Sequence, residues 1–483
     1  MRIQIVNPNL SGDVSILDIG QTYLATYINQ RTRHEAATMD FTFHRRSWRR
    51  HLKRNLDRFE PDVLGISATS LYMHYVTDII AEAKSLRPDL HVIMGGWHCS
   101  LLPDDSIGRP HVEAIVLGDG EYTCEEYLDA LQQGRPLDGI AGLWFRRGDE
   151  LVKNEKRRLI EDVDVLPIPD YDCWEDIEKY VFYNQMLYFM GNRGCPYACT
   201  YCSEVSLRKA IPGKGIRRRS PRPLAHEVKQ QYARYRDAGM RIAHFFDPVF
   251  AFNLPWTREF CDEYRKIGMA DQLPFSCFGH GDNMDVERVE TLASANCRVV
   301  RIGIEAGNEH IRRDVYHKKV TNDGLRRIFD LCHRRGVSIT GYNMIGGPGE
   351  DTSTLMDTFR LNKELRVDRP IFFTYRPLPA TRGAELVTEL GGQIDEGQWS
   401  RIDSLHTRGN VDTGKLKPWQ IEWFRNFCLL YFNFSRTLRL VRDQKHRFFL
   451  NLLEYLRRGI DDEVGLHYVI GYFMVCAGDN LTN

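Results

Sequence analysis

Three cysteines are the residues whose types and spacing point most directly to chemistry. Cys195, Cys199 and Cys202 form a CxxxCxxC arrangement after the apolar run Leu187–Met190. Cysteine thiolates hold iron–sulfur clusters, and a [4Fe–4S] cube needs four ligands. Three closely spaced thiolates therefore leave one iron open to a small molecule. The alternatives are buried structural cysteines or a zinc site, but zinc usually takes four ligands in paired spacing and no second pair follows.

The elements that position this motif belong to a chain of 483 residues, which suggests two or three domains. Its 65 basic and 65 acidic side chains balance, so no general attraction to nucleic acid or membrane follows. Scattered cysteines without a regular framework indicate a reducing compartment. No signal peptide is apparent, and the late apolar run Val469–Ala477 is too short for a membrane helix. We expect a cytoplasmic protein without a membrane span or a nucleic-acid partner.

The cysteine loop, Gly194-Cys-Pro-Tyr-Ala-Cys-Thr-Tyr-Cys202, resembles that of the radical S-adenosylmethionine (SAM) enzymes. The resemblance implies that the open iron chelates the amino and carboxylate groups of SAM. It also implies that the reduced cluster cleaves SAM to a 5′-deoxyadenosyl radical. An external electron donor such as flavodoxin or ferredoxin is then expected.

The first third of the chain alternates strand and helix patterns, as a doubly wound parallel sheet does. The predicted strands are Ile3–Val6, Ala37–Phe43, Val63–Ile66, Val92–Met94 and Ala114–Leu117. Ligands of such sheets bind at the carboxyl ends of the strands. Small, polar or turn-forming residues follow three of these strands, and we predict cofactor contacts from some of them. These are Ser67, Thr69, Gly95, Gly96, His98, Gly118, Gly120 and Glu121.

Two of these segments, Gly95–Pro103 and Ile115–Glu121, resemble the cobalamin-binding domain that precedes the barrel in one large group of radical SAM enzymes. The resemblance implies a corrinoid lying face-on over the loops. The chain lacks the DxHxxG signature that supplies a histidine to cobalt, so we expect no lower axial histidine from this domain. We interpret His98 as a contact at the corrin edge, and the alternative is a turn residue that caps the loop.

Beyond a hairpin predicted to turn at Gly148-Asp149, the second half again alternates strands and helices. The predicted strands are Ile242–Phe246, Phe275–Phe278, Val299–Ile304, Ser338–Met344 and Ile371–Tyr375. With the strand that ends at Gly191 they predict six parallel strands. This arrangement resembles the incomplete barrel of the radical SAM enzymes, and the resemblance implies chemistry at the carboxyl ends of the strands.

Two strand ends resemble radical SAM motifs. The segment around Asp247 resembles FxDDxF, although Pro248 replaces the second acidic residue. Asp247 therefore either contacts SAM or its surroundings, or caps the next helix. The segment Arg301–Glu309 resembles GxESG, which implies that Glu305 binds the SAM ribose or ammonium group. The alternative for Glu305 is a structural ion pair with Arg301.

A third strand end, Tyr342–Asp351, resembles the GxPGE motif. The resemblance implies that the peptide edges of Gly346 and Gly347 read adenine, unless these glycines only end a strand. We therefore predict an α/β chain of four parts. These are a Rossmann-like cobalamin-binding domain (1–140), a linker with a hairpin (141–185), a partial (β/α)6 radical SAM barrel (186–385) and a helical C-terminal region (386–483) that packs on the barrel.

This organisation implies an enzyme that uses a [4Fe–4S] cluster, SAM and cobalamin. The favoured reaction methylates an unactivated carbon of a small-molecule or natural-product intermediate, through the 5′-deoxyadenosyl radical and methylcobalamin. Relatives of this layout also perform cyclisation or rearrangement, and phosphorus methylation is a further alternative. A non-enzymatic iron–sulfur sensor explains the cysteines but not the other motifs. Neither a catalytic side chain nor the substrate is assigned.

Overall fold

The computed structural model describes residues 1–15, 17–395 and 409–464, with side chains up to residue 434 and again at 455–459 and 461–464. The predicted run Val469–Ala477 lies outside these residues. The described chain forms two compact units. The first comprises Met1–Tyr180, Ser206–Arg217 and the described residues from Arg458, and the second comprises Val181–Val205 and Arg218–Arg457.

The first unit is built on a seven-stranded sheet. Its strands are β1 (Arg2–Asn7), β2 (Glu35–Asp40), β3 (Val63–Ser67), β4 (His91–Gly95), β5 (Ala114–Val116), β6 (Leu143–Arg147) and β7 (Glu150–Lys153). They lie in the order β2-β1-β3-β4-β5-β6-β7, and the first five are parallel. The predicted strand to Phe43 ends at Asp40, because the Asp40 carboxylate accepts the Thr42 N–H (2.8 Å) in a turn.

The strand order reverses between β1 and β3, which makes the carboxyl ends of these two strands a ligand-binding crevice in sheets of this kind. The predicted hairpin forms, but β6 pairs antiparallel with β5 and so extends this sheet instead of lying in a separate linker. The pairing buries Trp144 and Phe145. The helices of this unit are α1 (Ile19–Arg31), α2 (Trp48–Phe59), α3 (Met73–Leu86), α4 (Trp97–Leu101), α5 (Pro103–Ile107) and α6 (Glu121–Gln133).

The second unit contains the predicted six-stranded parallel sheet. Its main strands are β8 (Met186–Phe189), β11 (Ile242–Phe245), β12 (Phe275–Gly279), β13 (Cys297–Glu305), β14 (Ser338–Ile345) and β15 (Arg369–Thr374), and its short strands are β9 (Asn192–Arg193), β10 (Arg217–Arg218), β16 (Gln393–Ile394) and β17 (Val411–Asp412). The main strands lie in the order β15-β14-β13-β12-β11-β8, so each neighbours the next in sequence. Within the described residues, β8 and β15 are the edges of this sheet, as a partial barrel requires.

Helices alternate with these strands, as the sequence pattern predicts. They are α7 (Ile177–Asn184), α8 (Ser203–Ala210), α9 (Pro221–Tyr235), α10 (Leu254–Lys266), α11 (Met269–Gln272), α12 (Val286–Ser294), α13 (Asn322–Arg334), α14 (Thr352–Glu364), α15 (Arg382–Glu389) and α16 (Pro418–Asp461). Ile421 and Phe424 of α16 pack in one core with Phe372, as expected of the tail. Trp419 and Trp423 are exposed, so only part of its apolar surface packs this way. No helix in the described ranges combines the length and apolarity needed to cross a bilayer.

Candidate functional site

The cysteine loop leaves the carboxyl end of β8 and is fixed by backbone hydrogen bonds. Gly194 has a φ of +88°, which favours glycine, and the Cys202 N–H donates to the Cys199 carbonyl (3.2 Å). Between these cysteines, the Thr200 carbonyl accepts the Gly383 N–H (2.7 Å). Cys199 is buried, whereas Cys195 and Cys202 are half-buried. The loop therefore presents three thiols at the carboxyl end of β8, where the sequence pattern predicted them.

These three thiols fit an iron–sulfur cluster better than one metal ion. Burial raises the pKa of the Cys202 thiol to about 12, and the nearby Cys199 and Cys195 thiols contribute to the rise. Across the described residues, no three metal-ligating side chains converge on a single point. Zinc requires such convergence, whereas the thiolates of a [4Fe–4S] cube bind different irons.

Asp247 follows β11 and is fully buried beside the start of the cysteine loop. Its carboxylate accepts the Gly191 N–H (3.0 Å) and the side-chain amide of Asn192. Burial raises its pKa to about 7. The predicted alternative, a cap on the following helix, is wrong because Asn253 caps α10. Asp247 instead ties the carboxyl ends of two neighbouring strands together.

Glu305 ends β13 with a φ of +65°, a conformation that is uncommon for a residue with a side chain. Its carboxylate accepts the Tyr201 hydroxyl (2.8 Å) and the buried Lys318 ammonium (2.9 Å). The ion-pair partner is thus Lys318 and not the predicted Arg301. Burial alone would lower the pKa of Lys318, but Glu305 and Cys199 raise it. A charged pair therefore links the strand end to the cysteine loop.

His280, at the end of β12, lies against the same loop. Its Nδ1 accepts the Asp282 N–H (3.2 Å), which leaves the proton of the neutral ring on Nε2. Nε2 lies 3.7 Å from the Cys199 sulfur, and the ring stacks on Tyr197 with centroids 3.6 Å apart. Burial lowers the pKa of His280 to about 2, so the ring is neutral. The imidazole is therefore aimed as a donor at one cluster cysteine.

The glycines after β14 are constrained by the protein itself. Gly346 has a φ of +83°, and a Cβ at Gly347 would overlap the Tyr316 hydroxyl. Both backbone N–H groups donate to the buried carboxylate of Glu350 (2.8 and 2.9 Å), so these donors are not free to read adenine. Burial raises the pKa of Glu350 to about 8. Gly307, in the segment that resembles GxESG, gives room to α14, since a Cβ there would collide with the Asp357 carbonyl.

In the first unit, the predicted residues after β3 border the crevice where the strand order reverses. The Ser67 hydroxyl donates to the buried carboxylate of Asp18 (3.3 Å), which also accepts the Gln21 N–H (3.0 Å). The Thr69 hydroxyl is buried, and no described residue forms a hydrogen bond with it. An orphaned hydroxyl at a ligand-binding crevice fits a polar group of a bound corrinoid.

The glycines that follow β4 and β5 differ in how much space a side chain would have there. Gly96 has a φ of +96°, and a Cβ there would lie 2.9 Å from the Ala68 carbonyl. Gly118 packs against Ile211. A Cβ at Gly120 would meet no atom closer than 3.9 Å, so this position has space beside it. Gly95 ends β4, and Glu121 is buried at the start of α6.

His98 lies in α4 with both ring nitrogens engaged. Nδ1 is 2.9 Å from the Ser70 hydroxyl, and Nε2 is 2.8 Å from the Asp105 carboxylate. Burial lowers its pKa. This arrangement favours the alternative interpretation, a residue that stabilises the loop, over a contact at the corrin edge.

Two family profiles match the chain at these regions. The B12 binding domain profile matches residues 10–128, and the Radical SAM superfamily profile matches residues 191–361. The chain belongs to the radical SAM enzymes that carry a cobalamin-binding domain. The cofactors of this enzyme are a [4Fe–4S] cluster, SAM and cobalamin.

Individual relatives of this radical SAM enzyme cover both units. Uncharacterized methyltransferase PH0819 of Pyrococcus horikoshii is 27% identical over 371 residues, 75% of this chain and 77% of the relative. The anaerobic magnesium-protoporphyrin IX monomethyl ester cyclase of Rubrivivax gelatinosus is 23% identical over 445 residues, 89% and 78% of the two chains. The solved structure of the radical SAM methyltransferase TsrM from Kitasatospora setae, with cobalamin and a [4Fe–4S] cluster bound, has a TM-score of 0.68 at 20% identity and covers 82% and 80%. At 20% identity, this similarity supports the fold alone.

Sequence reasoning missed four residues of these regions: Asp18, Tyr201, His280 and Lys318. Tyr201 stands inside the quoted cysteine motif, so its position was visible although its partner Glu305 was not. Lys318 lies well beyond the end of β13, and no pattern in the residues around it indicates that it pairs with Glu305. Asp18 precedes the first helix, where an N-cap was readable from sequence.

Proposed function

We propose that this enzyme transfers a methyl group to an unactivated carbon of a small-molecule or natural-product intermediate. The observation that carries the proposal is one chain that combines a B12 binding domain with a cysteine loop whose Tyr201 is hydrogen-bonded to Glu305. When bound, the cluster would supply the electron for reductive cleavage of SAM, and cobalamin would serve as the carrier of the methyl group. The protein holds these groups in place and excludes water.

In the second unit, Cys195, Cys199 and Cys202 hold three irons. Glu305 accepts hydrogen bonds from the SAM ribose or ammonium, and Lys318 fixes the orientation of its carboxylate. Asp247 has an indirect role, because its hydrogen bonds to Gly191 and Asn192 fix the start of the cysteine loop. Gly346 and Gly347 contribute backbone shape to the adenine side, since their N–H groups donate to Glu350 and the Gly347 carbonyl accepts the Glu350 N–H (3.1 Å).

In the first unit, Ser67 and Thr69 offer hydroxyls to the corrinoid. Gly120 leaves space for it, Gly95, Gly96 and Gly118 shape the loops beside it, and Glu121 borders it at the start of α6. His98 holds Ser70. The four-part division at residues 140, 185 and 385 stays our proposal, except that the hairpin of β6 and β7 is assigned to the first part because it extends that sheet.

We also propose that the enzyme acts in the cytoplasm, takes electrons from a flavodoxin or ferredoxin, and binds no nucleic acid. The balance of 65 basic and 65 acidic side chains supports the last statement. The described cysteines form no disulfide with one another, which supports a reducing compartment.

The test is anaerobic turnover with SAM that carries a labelled methyl group, using an extract fraction of small molecules as the source of substrate. Methyl transfer predicts that label appears first on cobalamin and then in a product, with both S-adenosylhomocysteine and 5′-deoxyadenosine accumulating. A product that forms with 5′-deoxyadenosine but without label would indicate cyclisation or rearrangement. The match to the cyclase over 89% of this chain makes that the second candidate.

A further inference from the structure

Helix α16 carries apolar side chains on two of its faces. One face packs in the second unit, where Ile421 and Phe424 share a core with Phe372. The other face is exposed over the first turns of the helix and forms a continuous apolar stripe. The α16 stripe consists of Trp419, Trp423, Phe427, Leu430, Tyr431 and Phe434. Four of these six residues are between 63% and 73% exposed, so they contact little of their own chain.

The exposed surface around the α16 stripe is uncharged. The sequence from Pro418 to Phe434 has two charged residues, Glu422 and Arg425, and both are half-buried. Within this described stretch, the other exposed residues are asparagines, at positions 426 and 433. A helix face that stays in water normally carries charged and polar side chains. The α16 stripe therefore has the composition of an interface.

The α16 stripe is also large enough for an interface. Its exposed fractions, which are 38% at Phe427 and Tyr431, amount to roughly 600–700 Å² when about 200 Å² is taken for a whole large apolar side chain. Monomeric proteins seldom expose an apolar patch above roughly 600 Å². Two such stripes in contact would bury roughly 1,200–1,400 Å², and stable protein–protein interfaces bury about 1,200–2,000 Å².

The spacing of the stripe fits a second helix. Successive members recur at intervals of four, three and four residues, at Trp423, Phe427, Leu430 and Phe434. This is the heptad spacing with which two helices pack along each other. In a twofold dimer the same patch serves both copies, and an uncharged patch meets its own copy without repulsion between like charges.

A lipid surface fits the stripe less well. A helix that lies in the headgroup region carries lysine and arginine on its polar side. The stretch from Pro418 to Phe434 contains no lysine, and its one arginine, Arg425, is half-buried. Charge attraction to anionic lipid is therefore missing on this face, and a second copy of the chain is the better occupant.

We propose that the α16 stripe binds the same stripe of a second copy, so that the enzyme is a dimer in which two α16 helices pack along each other. The inference goes beyond the proposed function and does not depend on it, because assembly needs no turnover. The opposite face of α16 contacts a strand end of the candidate site, since a Cβ at Gly346 would lie 2.5 Å from Ile421. The dimer contact therefore braces the helix that supports this glycine.

The test is sedimentation velocity of the anaerobically prepared holoenzyme, from submicromolar to tens of micromolar. We expect a species of twice the mass of the chain. Trp423→Glu combined with Leu430→Glu should raise the Kd of the dimer at least about hundredfold, because pairing would bury four carboxylates without partners. Leu430→Gln is the milder second variant and should raise the Kd at least about tenfold.

The matched control is Val286→Glu, which places the same charge at an apolar residue that is 58% exposed on α12, and this variant should remain a dimer. Iron content and cleavage of SAM to 5′-deoxyadenosine, measured on every variant, show that each is folded. A dimer that the double variant and Leu430→Gln both retain would place the interface elsewhere and overturn the inference.

A wild-type monomer at all concentrations would also overturn it. Co-sedimentation of that monomer with vesicles of phosphatidylcholine and phosphatidylglycerol, lost in the double variant, would assign the stripe to lipid. A monomer that does not bind these vesicles would assign the stripe to contact with a segment of its own chain. Failure of methyl transfer would change none of these measurements, so the two proposals fail separately.

Discussion

The region around the cluster cysteines in the second unit and the crevice of the first unit are built in different ways to hold their cofactors. Around the cysteines, side chains from distant parts of the chain meet in a buried network, in which Tyr201 and Lys318 both donate to Glu305. At the crevice, the strand ends offer mostly backbone and small side chains, with Gly96 packed against the Ala68 carbonyl. The first region should therefore respond to loss of charge or ligand, and the second to added volume. The following experiments test that difference.

The largest effect is expected from the cysteines themselves. Replacing Cys195, Cys199 or Cys202 by alanine removes one of three iron ligands, so each variant should lose the [4Fe–4S] absorbance and all 5′-deoxyadenosine production. Cys297→Ala and Cys332→Ala are the controls, because these thiols are buried in the apolar core and should leave the cluster intact. Normal cluster content in all three loop variants would contradict the assignment.

The buried pair beside the cluster should give the next largest effect. Glu305→Gln is expected to weaken SAM binding about tenfold or more without loss of iron, because it removes a charged acceptor. Lys318→Met leaves the Glu305 charge uncompensated and should reduce the free energy of unfolding by roughly 3–5 kcal/mol.

The double variant should lose less stability than the sum of the two single losses, since the side chains act on each other. The measurements are equilibrium binding of SAM and denaturant unfolding under anaerobic conditions. Unchanged SAM affinity in Glu305→Gln would leave the pair with a structural role only.

In the first unit, a larger side chain at a glycine position should reduce cobalamin binding. Gly120→Phe is expected to reduce cobalamin retained after gel filtration from about one equivalent to a small fraction, whereas Gly120→Ala should retain it, since a Cβ there meets no atom within 3.9 Å. Gly96→Ala is predicted to disturb the loop itself, because its φ of +96° disfavours any side chain. Equal retention by Gly120→Ala and Gly120→Phe would place the corrinoid elsewhere.

The smallest effect concerns the hydrogen bond to the cluster cysteine. His280→Leu should lower the reduction potential of the cluster, because a donor aimed at a ligand sulfur stabilises the more negative, reduced state. Redox titration followed by electron paramagnetic resonance measures the shift. His310→Leu, at an exposed surface histidine, is the control and should leave the potential unchanged. An unaltered potential in His280→Leu would reduce this histidine to a packing role.

The sequence by itself determined the features that depend on local pattern. The cysteine spacing predicted the cluster loop, and alternating apolar runs predicted the parallel strands of both sheets, because strand formation and loop bending are properties of short segments. The resemblance to the family followed from the same short segments, and the two profile matches confirm that resemblance.

Only the tertiary structure decided which side chains meet. Lys318 pairs with Glu305 in place of Arg301, Asp247 binds the cysteine loop and does not cap a helix, and the hairpin joins the first sheet. Each of these outcomes depends on strand register and on where a crossover returns the chain. Such contacts join residues that are far apart in sequence, so the packing of whole elements decides which side chains meet. The spacing of neighbouring residues does not predict these partners.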